Sequence, residues 1–340
     1  MAETVRVLRS PPRPRDKIED LSGVMRVAVR VCSKRDGCGV DSYLFVGKGL
    51  KAVKLKPEVL KRLASDSGRR GRGDLTRLVE ELENELNFEA EQFSSRVDSP
   101  VLPGSTIKGN VRARIELSFV EKNGFVRTCL IVASDLPIRP PNVGQEGWRH
   151  FRIWSRSLSF KRGYACRYSE EHPAVCLTCD LFGTTGLAGL VEFNDLKMEG
   201  GQLVEIEPFE NEKLVAAAPG TVFRGSIFFK NLKPEELGLI LFGMGLRKSH
   251  VGRPVLLGKH KYAKQSKVVM GIVRYELEAL SLARFSKRLE LAGEVLEPGS
   301  TRQGPGLDKL VAVLIDKAKT AFKDELIDVD EVGELDKLNA

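Results

Sequence analysis

The chain has 340 residues, 42% of them hydrophobic and 29% charged, which is typical of a globular protein and excludes a fibrous or disordered chain. No apolar run approaches the roughly 20 residues of a membrane-spanning helix, and the N-terminus lacks the layout of a signal peptide, so we expect a cytoplasmic protein without a membrane segment. The net charge of +8 favours an anionic partner, nucleic acid first. Six cysteines in such a chain suggest metal ligands or core residues before disulfides.

Residues 1–20 are rich in arginine and proline and predict an extended arm with no packed element of its own. A disordered tail and a basic arm that contacts RNA or a neighbouring subunit both fit this composition. The main domain is expected over residues 21–296. Residues 297–340 are expected to add a helix and a frayed acidic tail.

Apolar periodicity locates the secondary structure of the main domain and the C-terminal helix. The predicted strands are Val24–Val31, Tyr43–Val46, Phe125–Ala133, Leu190–Phe193, Val222–Phe229 and Val268–Leu277. The predicted helices begin at Pro57 and at Asp74, whose apolar stripe reaches Phe93, and run over Pro234–Met244 and Leu307–Leu326. The first two helices predict a helical insertion at about 50–95. Its glycine loop carries Arg69, Arg70 and Arg72, which either contact phosphate or face solvent.

A glycine turn at residues 103–104 leads into a predicted helix start. Ser105 or Thr106 can cap this helix, and Lys108 and Arg112 lie one turn apart on one side of it. Free backbone amides, a hydroxyl and two cations are the components of a phosphate site. The spacing is not that of a Walker loop, and an ordinary capped turn explains the same residues.

Two patterns compete over residues 105–119. The start of a helix is followed by apolar residues at every second place from Val111 to Phe119, which favours a strand. Asn123 and Gly124 then form a strong signal for a two-residue hairpin turn. We therefore expect a short helix ending near Ala113, followed by a hairpin.

Residues 148–165 interleave aromatic side chains, among them Trp148, Trp154 and Tyr164, with arginine and lysine. Such a pattern can stack and clamp single-stranded bases. The face of an amphipathic helix built on Trp148 and Trp154 explains the same pattern equally well.

Cys166, His172, Cys176 and Cys179 have the spacing Cys-x5-His-x3-Cys-x2-Cys, which is the sharpest metal signal in the chain. A Cys-x2-Cys pair can chelate one ion from a tight turn, and a third cysteine and a histidine complete a tetrahedral zinc shell. Because all four positions are filled by protein, such a site would be structural.

Another ligand and another chemistry compete with this set. His150 is an alternative for the fourth position, and a thioredoxin-like redox pair is a further alternative, although its βαβ context is missing. We expect Cys32, Cys38 and Cys129 not to be ligands, because the first two are remote in sequence and the third falls in a predicted strand.

Residues 257–267 hold lysines after a glycine, and a strand is predicted to follow them. Lys259, Lys261, Lys264 and Lys267 can each contact phosphate, and a solvated basic loop is the alternative interpretation.

Four stretches, in this order along the chain, resemble the RAMP superfamily of CRISPR proteins. PGSTIKGNVR at 103–112 is similar to the family signature PGSSlKGxxR, and CLTCDLFG at 176–183, with the glycine-rich strand ending at Asp195, is similar to its CxxCxlFG segment. Residues 219–223 and 258–271 resemble two further blocks. The resemblance covers about 98–280 and is greatest for the repeating backbone subunit of type III effector complexes.

The resemblance implies an α+β fold, namely a ferredoxin-like (RRM-like) palm with a thumb hairpin flanking Pro208. The patterns described above add inserted helices and a zinc-binding loop at about 148–183 to this palm. It also implies that copies of the chain stack along a guide RNA, together with other effector subunits. In that family the type III backbone subunit cuts the paired target RNA with a loop aspartate and a divalent metal.

Carried over to this sequence, the catalytic-loop pattern matches Val97-Asp98-Ser-Pro-Val101, so Asp98 is the candidate catalytic residue, with Mg²⁺ as its cofactor. The segment between this motif and the PGSS block is shorter than in the family. The expected RNA-binding residues are Gly104, Ser105, Thr106, Lys108, Gly109, Arg112, Lys259, Lys261, Lys264 and Lys267.

Three other functions remain open at this point. The same fold can serve as a non-catalytic RNA-binding subunit that caps the filament. A standalone guide-processing ribonuclease would need a catalytic histidine, for which His250 is a poor candidate. A zinc-stabilised RNA-binding protein outside CRISPR is the third alternative.

Overall fold

The structure, a computed structural model, describes residues 4–47, 51–54, 61, 87–97, 99–130, 141–263 and 266–339. The two helices predicted at about 50–95 fall largely outside these residues. Over the described part of the chain, no helix is both long and apolar enough to cross a bilayer.

Strands make up most of the regular structure in the described residues. They are β1 (Thr4–Val7), β2 (Leu21–Val31), β3 (Lys51–Lys54), β4 (Asn87–Glu91), β5 (Ser95–Arg96), β6 (Ser99–Leu102), β7 (Phe125–Val126), β8 (Lys161–Arg162), β9 (Val191–Phe193), β10 (Leu196–Gly200), β11 (Leu203–Phe209), β12 (Glu212–Ala217), β13 (Val222–Leu232), β14 (Val255–Leu256), β15 (Ile272–Leu282), β16 (Leu289–Leu291), β17 (Glu294–Leu296) and β18 (Thr301–Gln303).

Helices flank these strands. They are α1 (Gly104–Ser118), α2 (Trp148–Ile153), α3 (Ser155–Leu158), α4 (Leu177–Phe182), α5 (Pro234–Gly243), α6 (Gly306–Phe322) and α7 (Glu331–Asn339), with 3₁₀ turns at Lys34–Asp36 and Lys323–Glu325.

A large sheet with strand order β14–β15–β2–β13–β10–β6–β5 organises the molecule, and β2 pairs antiparallel with β13 and β15 along most of its length. Side chains alternate between the two faces of a strand. Met25, Val27 and Val29 of β2 are fully buried, whereas Arg26 is exposed and Arg30 pairs with Glu276 at 2.8 Å. The strands predicted over 24–31, 190–193 and 222–229 are therefore confirmed.

Helices α1, α5 and α6 join the buried face of the sheet in one hydrophobic core. The two helices α5 and α6 approach each other closely at Gly238, where a Cβ atom would lie 2.0 Å from the carbonyl oxygen of Leu314. This mixed α+β architecture agrees with the coarse fold class predicted from the sequence.

Helix α1 is longer than predicted, running to Ser118 instead of ending near Ala113. Its apolar residues Ile107, Val111 and Ile115 are fully buried, as expected for one helical face. The intervening Arg112, Arg114 and Glu116 are buried as well. The residues whose alternating pattern suggested a strand thus form a helix that is buried on several sides. Its charged side chains are paired inside the protein.

Both ends of the chain pack more firmly than the composition predicts. Strand β1 of the arm pairs in parallel with β7 and β8, and Arg13 forms ion pairs with Asp180 at 2.8 Å and Glu236 at 2.5 Å. The acidic tail forms α7, whose Glu331 is buried. Ion pairs with the body of the protein hold the arm and the tail, and the expectations of an unpacked arm and a frayed tail were wrong.

Other element boundaries differ from the predicted ones too. Strand β4 occupies Asn87–Glu91, where the helical stripe predicted to reach Phe93 was expected. Of the strand predicted over 125–133, the described residues 125–130 form a strand only at Phe125–Val126. Asn123 and Gly124 do form a tight turn, both with positive φ. Strands β11 and β12 pair as a hairpin around residues 210–211, where a hairpin was expected.

Because α5 and α6 are in close contact, replacing a helical glycine by alanine is expected to lower the stability of the protein here instead of raising it. Gly238→Ala is expected to destabilise the protein by about 1–3 kcal/mol, because the added methyl group meets the Leu314 carbonyl. In an open helix the same change stabilises by up to about 1 kcal/mol. Gly109→Ala on α1, where nothing lies within 4 Å of the new Cβ, is the matched control and should stabilise.

Urea unfolding followed by circular dichroism measures both variants. If Gly238→Ala unfolds at the same or a higher urea concentration than wild type, the close approach of α5 and α6 is incorrect.

Candidate nucleic-acid interface and metal centre

The glycine turn before α1 places the first helical amide against a carboxylate of the chain itself. The Gly104 N–H donates to Asp195 Oδ1 at 2.8 Å, and a Cβ at this position would lie 2.0 Å from the Phe193 carbonyl oxygen. Asp195 also accepts from Arg96 Nε at 2.9 Å. The position of Gly104 thus requires glycine, but the anion at its amide is Asp195 and not a phosphate.

The other residues predicted on this helix divide between its outer and inner sides. Ser105 and Gly109 are exposed, and Thr106 and Lys108 are half-buried. Burial, followed by the nearby Arg112, lowers the pKa of Lys108. Arg112 was expected to contact RNA, but it turns inward.

Arg112 directs its donors inside the protein. Its Nε donates to Glu116 at 2.7 Å, Nη1 to the Gly183 carbonyl at 2.7 Å and Nη2 to the Cys179 sulfur at 3.1 Å. A buried guanidinium with these partners is held by the fold and is not presented to a ligand.

The outer side of α1 forms one wall of a cavity of about 270 Å³. Thr106, Gly109 and Asn110 of the helix face Gly258 and Lys261 of the loop after β14. The two segments were predicted as RNA contacts independently and lie about 150 residues apart in the sequence. The structure therefore brings part of each predicted set to one concave site.

The loop side of this cavity depends on an unusual backbone. Gly258 has φ +87°, and a Cβ there would lie 2.5 Å from the Phe45 carbonyl oxygen. His260 also adopts a positive φ, at 61°, and its Nε2 lies 2.9 Å from Glu212 Oε1. Gly258 allows the loop to approach the main chain at Phe45. The contact of His260 with Glu212 then fixes the turn that follows Gly258.

Charged and aromatic groups line the remaining walls. Arg114 and Glu331 form a buried ion pair at 3.0 Å, and Trp154 is 1% exposed. Burial lowers the pKa of the Lys261 ammonium, which has no ion-pair partner closer than 4 Å among the described residues. The cavity thus holds a lysine that forms no ion pair with a described carboxylate, next to aromatic walls.

The other loop lysines are already paired. Lys259 Nζ lies 2.6 Å from Glu212 and 3.1 Å from Glu91, and Lys267 Nζ lies 3.2 Å from Glu207. Lys264 lies outside the described residues. A phosphate would have to compete with these carboxylates for Lys259 and Lys267.

Asp98, the candidate catalytic residue, also lies outside the described residues. Its neighbours belong to two paired strands, with Arg96 opposite Ser99, and only two residues separate β5 from β6. Val97 is 97% exposed. The motif therefore stands at the edge of the large sheet.

A buried sulfur cluster forms where the arm, the segment after β7 and the α4 region meet. The sulfur atoms of Cys129, Cys166, Cys176 and Cys179 all lie within 4.8 Å of one another. Cys129 comes from the described segment just after β7, and its N–H donates to Cys176 Sγ at 3.3 Å. Four converging thiols from two separate segments are a donor set for one metal ion.

The fourth member of this cluster is Cys129 and not His172. The His172 ring is exposed, in a turn closed by its main-chain hydrogen bonds with Ser169. The sequence excludes Cys129 only on the assumption that it lies in a strand, and in the structure this strand ends at Val126. His150, the competing ligand, lies instead in the cavity beside α1.

The two remaining cysteines, Cys32 and Cys38, form a disulfide with Cα atoms 5.5 Å apart. They are non-ligands, as expected, but the expectation of metal or core sulfur before disulfides does not hold for them. They lie six positions apart in the sequence, and the 3₁₀ turn at Lys34–Asp36 returns the chain so that the two sulfurs meet.

The chemistry of the four sulfurs fits a single ion. A tetrahedral zinc site with Zn–S bonds of about 2.3 Å needs sulfurs about 3.8 Å apart. The Cys129–Cys179 and Cys129–Cys176 sulfur distances are 3.5 and 3.6 Å. Hydrogen bonding to Cys129 lowers the pKa of the Cys176 thiol to about 6, whereas hydrogen bonding to Cys166 raises the pKa of the Cys129 thiol, so the protons are held unequally within the cluster.

The cavity beside α1 predicts a pH dependence of stability. Burial, and then the nearby Lys261, lower the pKa of His150 from 6.5 to about 4. Since the folded state disfavours the protonated ring, the unfolded state binds more protons between these values, and stability is full above pH 6.5 and falls as the pH drops towards 4.

His150→Gln should lose less stability than wild type over this pH range, by roughly 3 kcal/mol at most. Urea unfolding from pH 7.5 to 4.5 measures the difference. His172→Gln, at an exposed ring, is the control and should follow wild type. Parallel curves for wild type and His150→Gln would contradict the burial of this ring.

Comparison with known proteins adds the family. No curated protein sequence matches the chain. Among solved structures, the crystal structure of Thermofilum pendens Csc2 is similar at 12% identity and a TM-score of 0.33, covering 94% of this chain and 81% of that chain. The model of the RAMP superfamily matches residues 40–296, which is well over half of the sequence. The chain therefore belongs to the RAMP superfamily, whose members are RNA-binding subunits of CRISPR effector complexes.

Proposed function

We propose that the chain is a backbone subunit of a type III CRISPR effector complex, which binds guide RNA along its phosphate backbone and cleaves the paired target RNA. The observation that carries the RNA-binding part is the cavity where Thr106 and Gly109 of α1 meet Gly258 and Lys261. The four sequence blocks, in family order, support the assignment to type III.

The sheet supports a ferredoxin-like palm. Its central strands have the order β15–β2–β13–β10, with α1 between β2 and β10 and α5 between β13 and β15 in the chain. A β-α-β-β-α-β unit has its strands in the order fourth, first, third, second, which these four strands match. By the same proposal the β11–β12 hairpin is the thumb.

The cavity suits a sugar-phosphate backbone better than base edges. Lys261 supplies a cation and the Thr106 hydroxyl a donor, and both are indifferent to base sequence. Gly109 leaves the helix surface open, because nothing lies within 4 Å of the position that a methyl group would occupy there. A guide of arbitrary sequence needs this kind of recognition.

Cleavage rests on the resemblance of the motif around Asp98. A carboxylate there would hold Mg²⁺, which supplies charge stabilisation at the scissile phosphate, or would help to activate the attacking hydroxyl. Nearby, Asp195 is already engaged by Arg96 and by the Gly104 amide. Asp98 is therefore the carboxylate on which the proposal depends.

The sulfur cluster is proposed as a structural zinc site. All four donors are cysteines, and all four are buried, so no position is left open for a reacting water. Zinc would join the segment after β7 to α4. The protein's partners, by the same proposal, would be further copies of the chain and other effector subunits.

One observation favours the alternative of a non-catalytic RNA-binding or capping subunit. Only two residues lie between β5 and β6, and Asp98 is one of them. A connection this short limits how far the motif can extend towards a bound target, whereas the cavity beside α1 does not depend on it.

RNA binding predicts a measurable role for Lys261. Lys261→Met should weaken binding of single-stranded RNA about tenfold, because a charged hydrogen bond contributes about 1.5 kcal/mol or more. It should also reduce the salt slope of the affinity by about 0.7, the contribution of one phosphate on a single strand. Fluorescence anisotropy at several salt concentrations measures both.

Lys267→Met is the matched control, since Lys267 is exposed and already paired with Glu207. It should weaken binding less than Lys261→Met. Equal losses for the two variants would place the phosphate contact on the outer loop and not in the cavity.

Cleavage is tested in the reconstituted complex with labelled target RNA. Asp98→Ala should abolish evenly spaced products while guide RNA stays bound, and EDTA should do the same with wild type. Ser99→Ala, which keeps the carboxylate, is the control and should cut normally. A ladder that persists in Asp98→Ala would exclude this residue, and a wild type that never cuts would favour the non-catalytic subunit.

A further inference from the structure

Three arginines lie around the sulfur cluster, of which Arg112 is buried while Arg9 and Arg162 are half-buried. Arg112 Nη2 donates to Cys179 Sγ at 3.1 Å, and Arg9 Nε donates to Cys166 Sγ at 3.4 Å. Arg162 bonds the hydroxyl and carbonyl oxygens of Thr128, the residue before Cys129, at 2.5 and 3.1 Å. Three arginines from three separate segments therefore converge on four cysteines.

One carboxylate belongs to the same group. Glu116 is 3% exposed and accepts from Arg112 Nε at 2.7 Å. The next charges outward are already paired with each other, since Asp180 binds Arg13 and Arg15 while Glu236 binds Arg13. The three arginines and Glu116 thus carry two net positive charges against the cluster.

Buried positive charge is costly unless it is compensated. Arg112 lies inside the protein, and solvent screens part of the charge of the half-buried Arg9 and Arg162, so the net charge that the sulfurs must offset is at most two. Four neutral thiols would offset none of it, whereas four thiolates with a divalent ion carry two negative charges.

We propose that Arg9, Arg112 and Arg162 form a charge-compensating shell that fits the cluster to a divalent metal ion held by four thiolates. The proposal rests on the four-thiolate zinc centre proposed above. Arg9 and Arg112 are positioning residues, because each donates an N–H to a sulfur and neither is a ligand.

The hydrogen bonds to the sulfur atoms also favour thiolate ligands. Main-chain N–H groups add to the arginines, with Cys176 N donating to Cys166 Sγ at 3.3 Å and Cys129 N to Cys176 Sγ at 3.3 Å. N–H donors aimed at sulfur stabilise thiolate over thiol. Donors in the surroundings of a metal site also fix the orientation of its ligands.

Arg9 gives the cleanest test, because it is only half-buried and its loss should not prevent folding. Arg9→Met should weaken zinc binding about 10- to 100-fold, the usual effect of removing such a contact. Tyr164→Ala is the matched control. It removes the ring over which Arg9 lies at 5.0 Å but keeps the N–H donor to sulfur, and should bind zinc like wild type.

Variants at the Arg112–Glu116 pair show whether Arg112 affects zinc affinity through its positive charge or through its packing in the protein. Arg112→Met should weaken zinc binding, and Glu116→Gln should not. The double variant Arg112→Met/Glu116→Gln removes one charge of each sign, so its zinc affinity should return towards that of wild type. A purely structural role of Arg112 would leave the double variant as weak as the single one.

Zinc content by mass spectrometry of the purified full chain, and competition with a chromophoric chelator, provide the affinities. Absorption of the cobalt-loaded protein reports whether all four ligands are thiolates. If wild type binds zinc and both Arg9→Met and Arg112→Met bind it equally well, the shell is overturned while the metal centre stands. If wild type and Cys176→Ser alike hold no metal, the centre itself fails.

Discussion

Helix α1 is buried on several sides, and its ionised side chains must find partners inside the protein. Arg112 reaches Cys179 and Gly183, and Arg114 reaches Glu331 of the C-terminal helix and the Gly243 carbonyl at the end of α5. A buried charge that loses its partner costs several kcal/mol, so these contacts are obligatory once the helix is packed. The position of α1 therefore determines where the sulfur cluster, the end of α5 and the C-terminal helix can lie, and the rest of the architecture depends on this pairing.

The same helix presents its other side to the proposed RNA site. Thr106 and Gly109 lie on the cavity side, while Arg112 lies towards the sulfur cluster. One helix carries both sets, so Arg112 links the sulfur cluster directly to the helix that forms the cavity wall. The tail contributes to the same wall through Glu331, which lines the cavity and also accepts from the Leu256 N–H at 2.6 Å.

The large strands could be predicted from the sequence because each has one buried face, and alternation reports this directly, as in Val27 and Val29 of β2. The same rule failed at α1. There Arg112, Arg114 and Glu116 look like the polar face of a strand, and nothing local indicates that their partners are Glu331, Gly183 and Cys179. Three of the four clustered cysteines were recognisable as candidate ligands from their spacing, but Cys129 was not, since it arrives through tertiary pairing of β1 with β7. The packed arm was missed for a similar reason, because its ion pairs with Asp180 and Glu236 join residues far apart in the chain.

The loop lysines show why a basic segment is a weak guide to a binding site. Lys259 is held between Glu212 and Glu91, and His260 contacts the same Glu212. These contacts tie the loop to the sheet that contains the β11–β12 hairpin, so their first effect is to position Gly258 and Lys261. A phosphate at Lys259 would have to replace two carboxylates, and the exchange of one anion for another yields little free energy. Lys261 forms no ion pair within 4 Å among the described residues, so a phosphate at the proposed RNA site would not have to displace a carboxylate from it. Among the described lysines of the loop, Lys261 is thus the one at which an anionic ligand would meet the least competition.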